Sequence, residues 1–135
     1  MPLLIDASAT VAWLLPDEFD AAAESLLDEV SERGAIVPAL WSVEIENALR
    51  SAQRRRRITL EAARAILVRL GQLPIRVVDC AERPTFCGAL SLSVECDISV
   101  YDAVYLDTAR RHRARFASRD RRLLDAAQQL GIAIF

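Results

Sequence analysis

Four acidic residues stand where the local pattern calls for something else: Asp6, Glu44, Asp102 and Asp120. Asp6 closes the apolar run Leu3-Leu4-Ile5, and a short run of that kind reads as a buried strand. A carboxylate at the carboxyl end of such a strand lies where open α/β sheets place their ligands. Glu44 falls on the apolar face of a helix marked by Trp41, Ile45, Ala48, Leu49 and Ala52. Its neighbour Glu46 is turned about 200° away at about 100° per residue and reads as a solvated partner of Arg50. Asp102 falls inside the wide arc of Tyr101, Val104, Tyr105, Leu106, Thr108 and Ala109, whereas Asp107 lies outside it beside Arg110 and Arg111. Asp120 follows a predicted strand and precedes a helix. A plain N-cap explains it by itself, but in a parallel sheet that strand end shares a rim with Asp6.

A carboxylate turned toward a core is costly unless it is paired or bound to a metal. Four acids converging from distant segments raise one another's pKa or repel unless a cation sits among them. Ligands that are all oxygen suit Mg²⁺ or Mn²⁺ rather than zinc. Carboxylate-held divalent ions are the working part of many nucleases, where one ion activates water and another stabilises the leaving oxygen. Taken one at a time, each acid also has a bland reading as a cap or a surface charge.

The elements that would position these acids alternate. Strands are expected at 3–6, 35–37, 74–79 and 115–118, with a terminal strand at 132–135. A short helix from Ala9 to Leu15, capped by Ser8, ends at Pro16. A second opens with Asp17-Glu18 and carries Phe19, Ala22, Ala23, Leu26, Leu27 and Val30 as one apolar stripe. Further helices are expected over 40–56, from Thr59 to Gly71, over 82–94, from Ser99 to about His112, and from Asp120 to Leu130. Gly34, Gly71 and Gly131 read as helix terminators and Gly88 as a helix-interior residue. This alternation predicts an α/β domain with a mostly parallel central sheet flanked by helices, a single unit over 1–135. No glycine-rich nucleotide loop is present.

The chain has 135 residues, net charge −2, and three cysteines at 80, 87 and 96. That odd number, without C-x-x-C spacing, argues for reduced thiols and against a disulfide framework or zinc ribbon. No apolar run approaches the roughly 18 residues a membrane span needs, and the N-terminus lacks signal-peptide features. A cytoplasmic protein is expected. The acidic sum does not mark a globally basic nucleic-acid binder, although the basic residues, all of them arginine, are unevenly placed.

The four acids lie in segments that resemble the signature blocks of PIN-domain ribonucleases, most nearly the VapC toxins of toxin–antitoxin pairs. The segments are LIDAS at 4–8, VPALWSVEIENAL at 37–49, YDAVYL at 101–106 and SRDRRL at 118–123. The resemblance spans essentially the whole chain, in order and at natural spacing. It implies a Rossmann-like, three-layer PIN domain and a Mg²⁺- or Mn²⁺-dependent endoribonuclease, the toxin of a type II pair. Asp6, Glu44, Asp102 and Asp120 become the metal-binding, catalytic acids. Ser8, Asn47 and Ser118 become supporting polar residues, Ser118 standing where many members have threonine. The resemblance further implies a homodimer and a cognate VapB-type antitoxin that lays a C-terminal segment along a groove near the acids.

Other residues admit two readings. Arg54-Arg55-Arg56-Arg57 reads as helix-end cations or as phosphate-positioning groups. Arg119, Arg121 and Arg122, around Asp120, are candidates for RNA backbone contact because they border the acid rim. His112, the one histidine, reads as a surface residue, so a hydrolytic triad is unattractive. Trp13 and Trp41 read as core or groove-lining residues. Beside the nuclease stands a second function: a non-catalytic α/β module whose acids bind a cation or a basic partner segment.

Overall fold

The computed structural model describes residues 1–78, 86 and 88–135. Its four strands are β1 (Leu3–Ile5), β2 (Ala35–Pro38), β3 (Ile75–Val78) and β4 (Arg115–Ala117). The seven helices are α1 (Ala7–Leu14), α2 (Ala21–Arg33), α3 (Leu40–Arg54), α4 (Leu60–Leu70), α5 (Ala89–Cys96), α6 (Val100–His112) and α7 (Arg121–Gln129). The four strands form one sheet in the order β3-β2-β1-β4, with every pairing parallel. The α/β class and the parallel sheet flanked by helices are therefore as expected from the sequence.

The strand order carries the functional consequence. From β1 the chain winds outward through β2 to β3, then returns to the opposite side of β1 to lay down β4. The winding reverses between β1 and β4, and open α/β sheets bind ligands at such a switch, beyond the carboxyl ends of the strands. Leu3, Leu4 and Ile5 pair with Arg115, Phe116 and Ala117, and the Asp6 amide donates to the Ala117 carbonyl at 3.1 Å. Asp6 and Ser118 thus leave the sheet side by side. β1 is buried along its whole length, as befits the continuous apolar run of an interior parallel strand.

Several boundaries differ from the expected ones, each for a local reason. Asp6, not Ser8, caps α1: its carboxylate accepts from the Ala9 amide at 2.8 Å, and Ser8 lies within the first turn. Asp20, not Asp17-Glu18, caps α2, accepting from the Ala23 amide at 2.8 Å. Phe19 therefore precedes the helix and is exposed. Pro38 belongs to β2, and α3 stops at Arg54, before the full arginine run. Gly88 is the N-cap of α5 rather than a helix-interior residue. The terminal strand shrinks to a single bridge between Phe116 and Ile134. The segment 79–85 and residue 87 lie outside the described residues, so the end of the third expected strand, the first part of the expected 82–94 helix, and two of the cysteines are not placed; α5 covers the later part of that helix and runs on to Cys96. Gly34 does terminate α2, at φ +77°; a Cβ there would stand 2.6 Å from the Pro74 carbonyl, so only glycine fits this turn into β2.

Candidate active site

Asp6 is the structural centre of the rim. It is 5% exposed, and three donors converge on its carboxylate. Ser8 Oγ and the Ala9 amide reach Oδ1, each at 2.8 Å, and Ser118 Oγ donates to Oδ2. The direction of those hydroxyl protons is fixed by the backbone. The Arg119 amide donates to Ser8 Oγ at 2.9 Å and the Asp120 amide to Ser118 Oγ at 3.0 Å. With those amides in place, both hydroxyls turn their protons toward Asp6. The β4–α7 turn therefore grips the carboxylate that ends β1. Burial nonetheless holds the Asp6 carboxyl above its ordinary value, against the lowering effect of its three donors, and the Asp102 charge pushes the same way.

Glu44 projects from α3 and is half-buried. Tyr105, on α6, donates its hydroxyl to Glu44 Oε2 at 2.6 Å. Burial raises the Glu44 carboxyl, the Tyr105 bond lowers it, and the charges of Asp6 and Asp102 raise it again. Asp102 lies in the first turn of α6, its amide donating to the cap Ser99 Oγ at 3.0 Å. Three acids, one just past β1 and the others on α3 and α6, are thus within one another's electrostatic reach, which periodicity alone leaves undecided.

Asp120 takes part differently. It is exposed and caps α7, its Oδ1 accepting from the amides of Arg122 at 3.0 Å and Leu123 at 3.3 Å. It shares a cleft of about 360 Å³ with Asp102, Ser99, Asp97 and Arg122, so it faces the rim through Asp102. Ser8 and Ser118 lie directly on Asp6, whereas Asn47 is exposed on α3 and makes no hydrogen bond to the acids. Each rim arginine has an acidic partner. Arg119 forks onto Asp20 at 3.0 and 2.8 Å, Arg121 approaches Asp125 at 3.2 Å, and Arg122 reaches the Asp97 carbonyl at 2.6 Å and its carboxylate at 3.2 Å. Glu46 does not pair with Arg50, which donates to Gln53 at 2.5 Å.

Sequence reasoning missed three residues. Tyr105 passes as one more apolar position on α6, and Thr10 and Trp41 pass as core. Trp41 Nε1 donates to Thr10 Oγ1 at 3.1 Å, and that hydroxyl donates to the Asp6 carbonyl at 2.8 Å. Their signal is a polar atom at a position burial demands, which needs a partner. Tyr101, expected on the inward arc of α6, is exposed instead, in the first turn of that helix.

Among the described residues, no three histidine, cysteine or acidic side chains stand close enough to hold a metal ion as they lie. The donor chemistry nevertheless fits a hard divalent cation. The donors are all oxygen, they are mutually repelling carboxyls, and the buried one is held rigidly by hydrogen bonds. Like charges keep such groups apart until a cation offsets them.

A family model described as "PIN domain" matches residues 3–129. No curated protein matches the chain. Among solved structures, the fold is similar to that of PAE2754 from Pyrobaculum aerophilum, with a TM-score of 0.72 and 23% identity, covering 96% of this chain and 92% of that one.

Proposed function

Because this chain belongs to the PIN domain family, whose members are generally nucleases that use divalent metal ions, we propose that it is a Mg²⁺- or Mn²⁺-dependent endoribonuclease, the toxin of a type II toxin–antitoxin pair. The observation that carries this reading is the setting of Asp6: buried at the sheet's switch point, clamped by three donors, and within reach of the charges on Glu44 and Asp102. Asp6, Glu44 and Asp102 would hold the ion, with Asp120 joining from the α7 cap. Bound there, it supplies an activated water and a counter-charge for the leaving oxygen. Ser8 and Ser118 keep Asp6 from rotating and hold it as an acceptor. Arg122 lines the cleft and Arg119 and Arg121 flank Asp120 along the chain; all three would meet RNA phosphates by exchanging their present acidic partners.

Two surface features support the partners. An apolar groove of about 520 Å³ runs along α1, α2 and α4, lined by Trp13, Leu14, Phe19, Ile66 and Leu70 among others. Trp13 lines it with the face of its indole, whose buried Nε1 has no acceptor among the described residues. Leu90 and Val94 on α5, with Val100 and Tyr101 at the start of α6, are exposed apolar residues suited to a second copy of the chain. No helix among the described residues is long and apolar enough to cross a membrane.

The test is to map cuts in total RNA with wild type and Asp6→Asn side by side, with Mg²⁺ or Mn²⁺ and with EDTA. Cuts confined to wild type with metal are expected, and equal cutting by Asp6→Asn overturns the assignment. The non-catalytic reading draws on the paired state of the rim arginines and the spread of the acids. Metal binding without cleavage of any RNA would establish it.

A further inference from the structure

We infer that Tyr105 is a positioning residue, whose buried hydroxyl fixes Oε2 of Glu44 and so sets the carboxylate that α3 offers to the acid cluster. The inference rests on the reading of Glu44 as a metal ligand.

Tyr105 is 1% exposed. Its ring packs against Phe116 of β4, centroids 6.5 Å apart and tilted by 39°. The ring is thus anchored in the core on the strand that pairs with β1. Burial alone would be served by phenylalanine or leucine, while a buried hydroxyl without a partner costs free energy. The partner here is a carboxylate at 2.6 Å, in the range of a charge-assisted bond. Glu44 is only half-buried and has three rotatable bonds, so an untethered Glu44 would sample solvent. The tether removes that freedom before a ligand arrives and leaves Oε1 with no hydrogen-bond partner among the described residues. It also joins two elements that each bear an acid, since Tyr105 lies one turn beyond Asp102 on α6 while Glu44 lies on α3.

The test is Mn²⁺ titration by calorimetry on wild type, Tyr105→Phe, Glu44→Gln and the double variant, with thermal melts of each. Tyr105→Phe keeps the ring on Phe116 and is expected to bind Mn²⁺ about 10–100-fold more weakly, as loss of a group that orients a ligand does. In the Glu44→Gln background the same change should add nothing. Equal affinities of wild type and Tyr105→Phe, or additive losses in the double variant, overturn the positioning role and leave the proposed function standing. No Mn²⁺ binding by wild type overturns both. If Tyr105→Phe does not fold, fluorotyrosine can be placed in Tyr101→Phe, where Tyr105 is the one tyrosine left. Its fluorine NMR signal should move when Mg²⁺ is added, and an unmoved signal overturns the inference.

Discussion

Trp41 and Thr10 are joined by a buried hydrogen bond, indole Nε1 to hydroxyl at 3.1 Å, and Thr10 passes the link on to the Asp6 carbonyl at 2.8 Å. The helix that carries Glu44 is thereby tied to the residue that ends β1. Both side chains are buried, Thr10 completely. Trp41→Phe should cost about 2 kcal/mol, from the lost bond and the volume left behind. Thr10→Val leaves the indole without an acceptor and should cost about 1–3 kcal/mol. Denaturant melts of the two single variants and the double variant should give a coupling of at least about 0.5 kcal/mol; simple additivity would show that the bond does not join them.

Asp6→Asn should separate stability from activity. Asparagine is as good an N-cap as aspartate, so α1 is preserved. In the folded chain the Asp6 and Glu44 carboxyls are raised, mainly by burial. Between the ordinary carboxylate range and those raised values the folded state binds more protons than the unfolded one, so stability falls as pH rises through that window. At neutral pH in EDTA, Asp6→Asn should therefore melt no lower than wild type, since the buried charge it removes opposes folding there. Any gap should close as pH falls into the ordinary carboxylate range, while cleavage with Mg²⁺ should drop by more than about 100-fold, beyond the loss of an outer-sphere partner. A neutral-pH melting point below that of wild type would contradict this account.

Asp120 both caps α7 and faces the cleft, and two substitutions separate the roles. Asp120→Ala removes the acceptor for the Arg122 and Leu123 amides and should cost about 0.5–2 kcal/mol. Asp120→Ser keeps a capping oxygen but no charge, and should stay within about 0.5 kcal/mol of wild type. If Asp120 also serves the cation, Asp120→Ser should lose RNA cleavage despite its intact fold. Full cleavage by that variant would reduce Asp120 to a cap.

Arg119 holds the Asp20 carboxyl down at about 2, helped by the Ala23 amide. A lowered acid contributes stability above its ordinary value of 3.8 and loses it as pH falls toward about 2. In Arg119→Ala, carboxylate NMR should show Asp20 titrating closer to its ordinary value. Acid unfolding should begin at a higher pH than in wild type. An unchanged Asp20 titration would mean that the α2 cap alone sets it.

Much of this architecture follows from the sequence alone. The apolar run into Asp6, the alternation of strand and helix signals, and the caps Thr59, Ser99 and Asp120 are local features, and they dictate an α/β chain with a parallel sheet. Glu44 and Asp102 stand out because period and charge disagree there. Convergence was the part sequence could not decide, since periodicity assigns a face within one helix and carries no distance between helices. The tertiary structure brought Asp6, Glu44 and Asp102 into mutual electrostatic reach by packing α6 against β1 and β2 and joining its Tyr105 to Glu44 of α3. It also revealed Tyr105, Thr10 and Trp41 as polar links rather than apolar filling. Their hydroxyls and indole lie on side chains that burial alone would select, and only the partner across the core shows what the polar atom does.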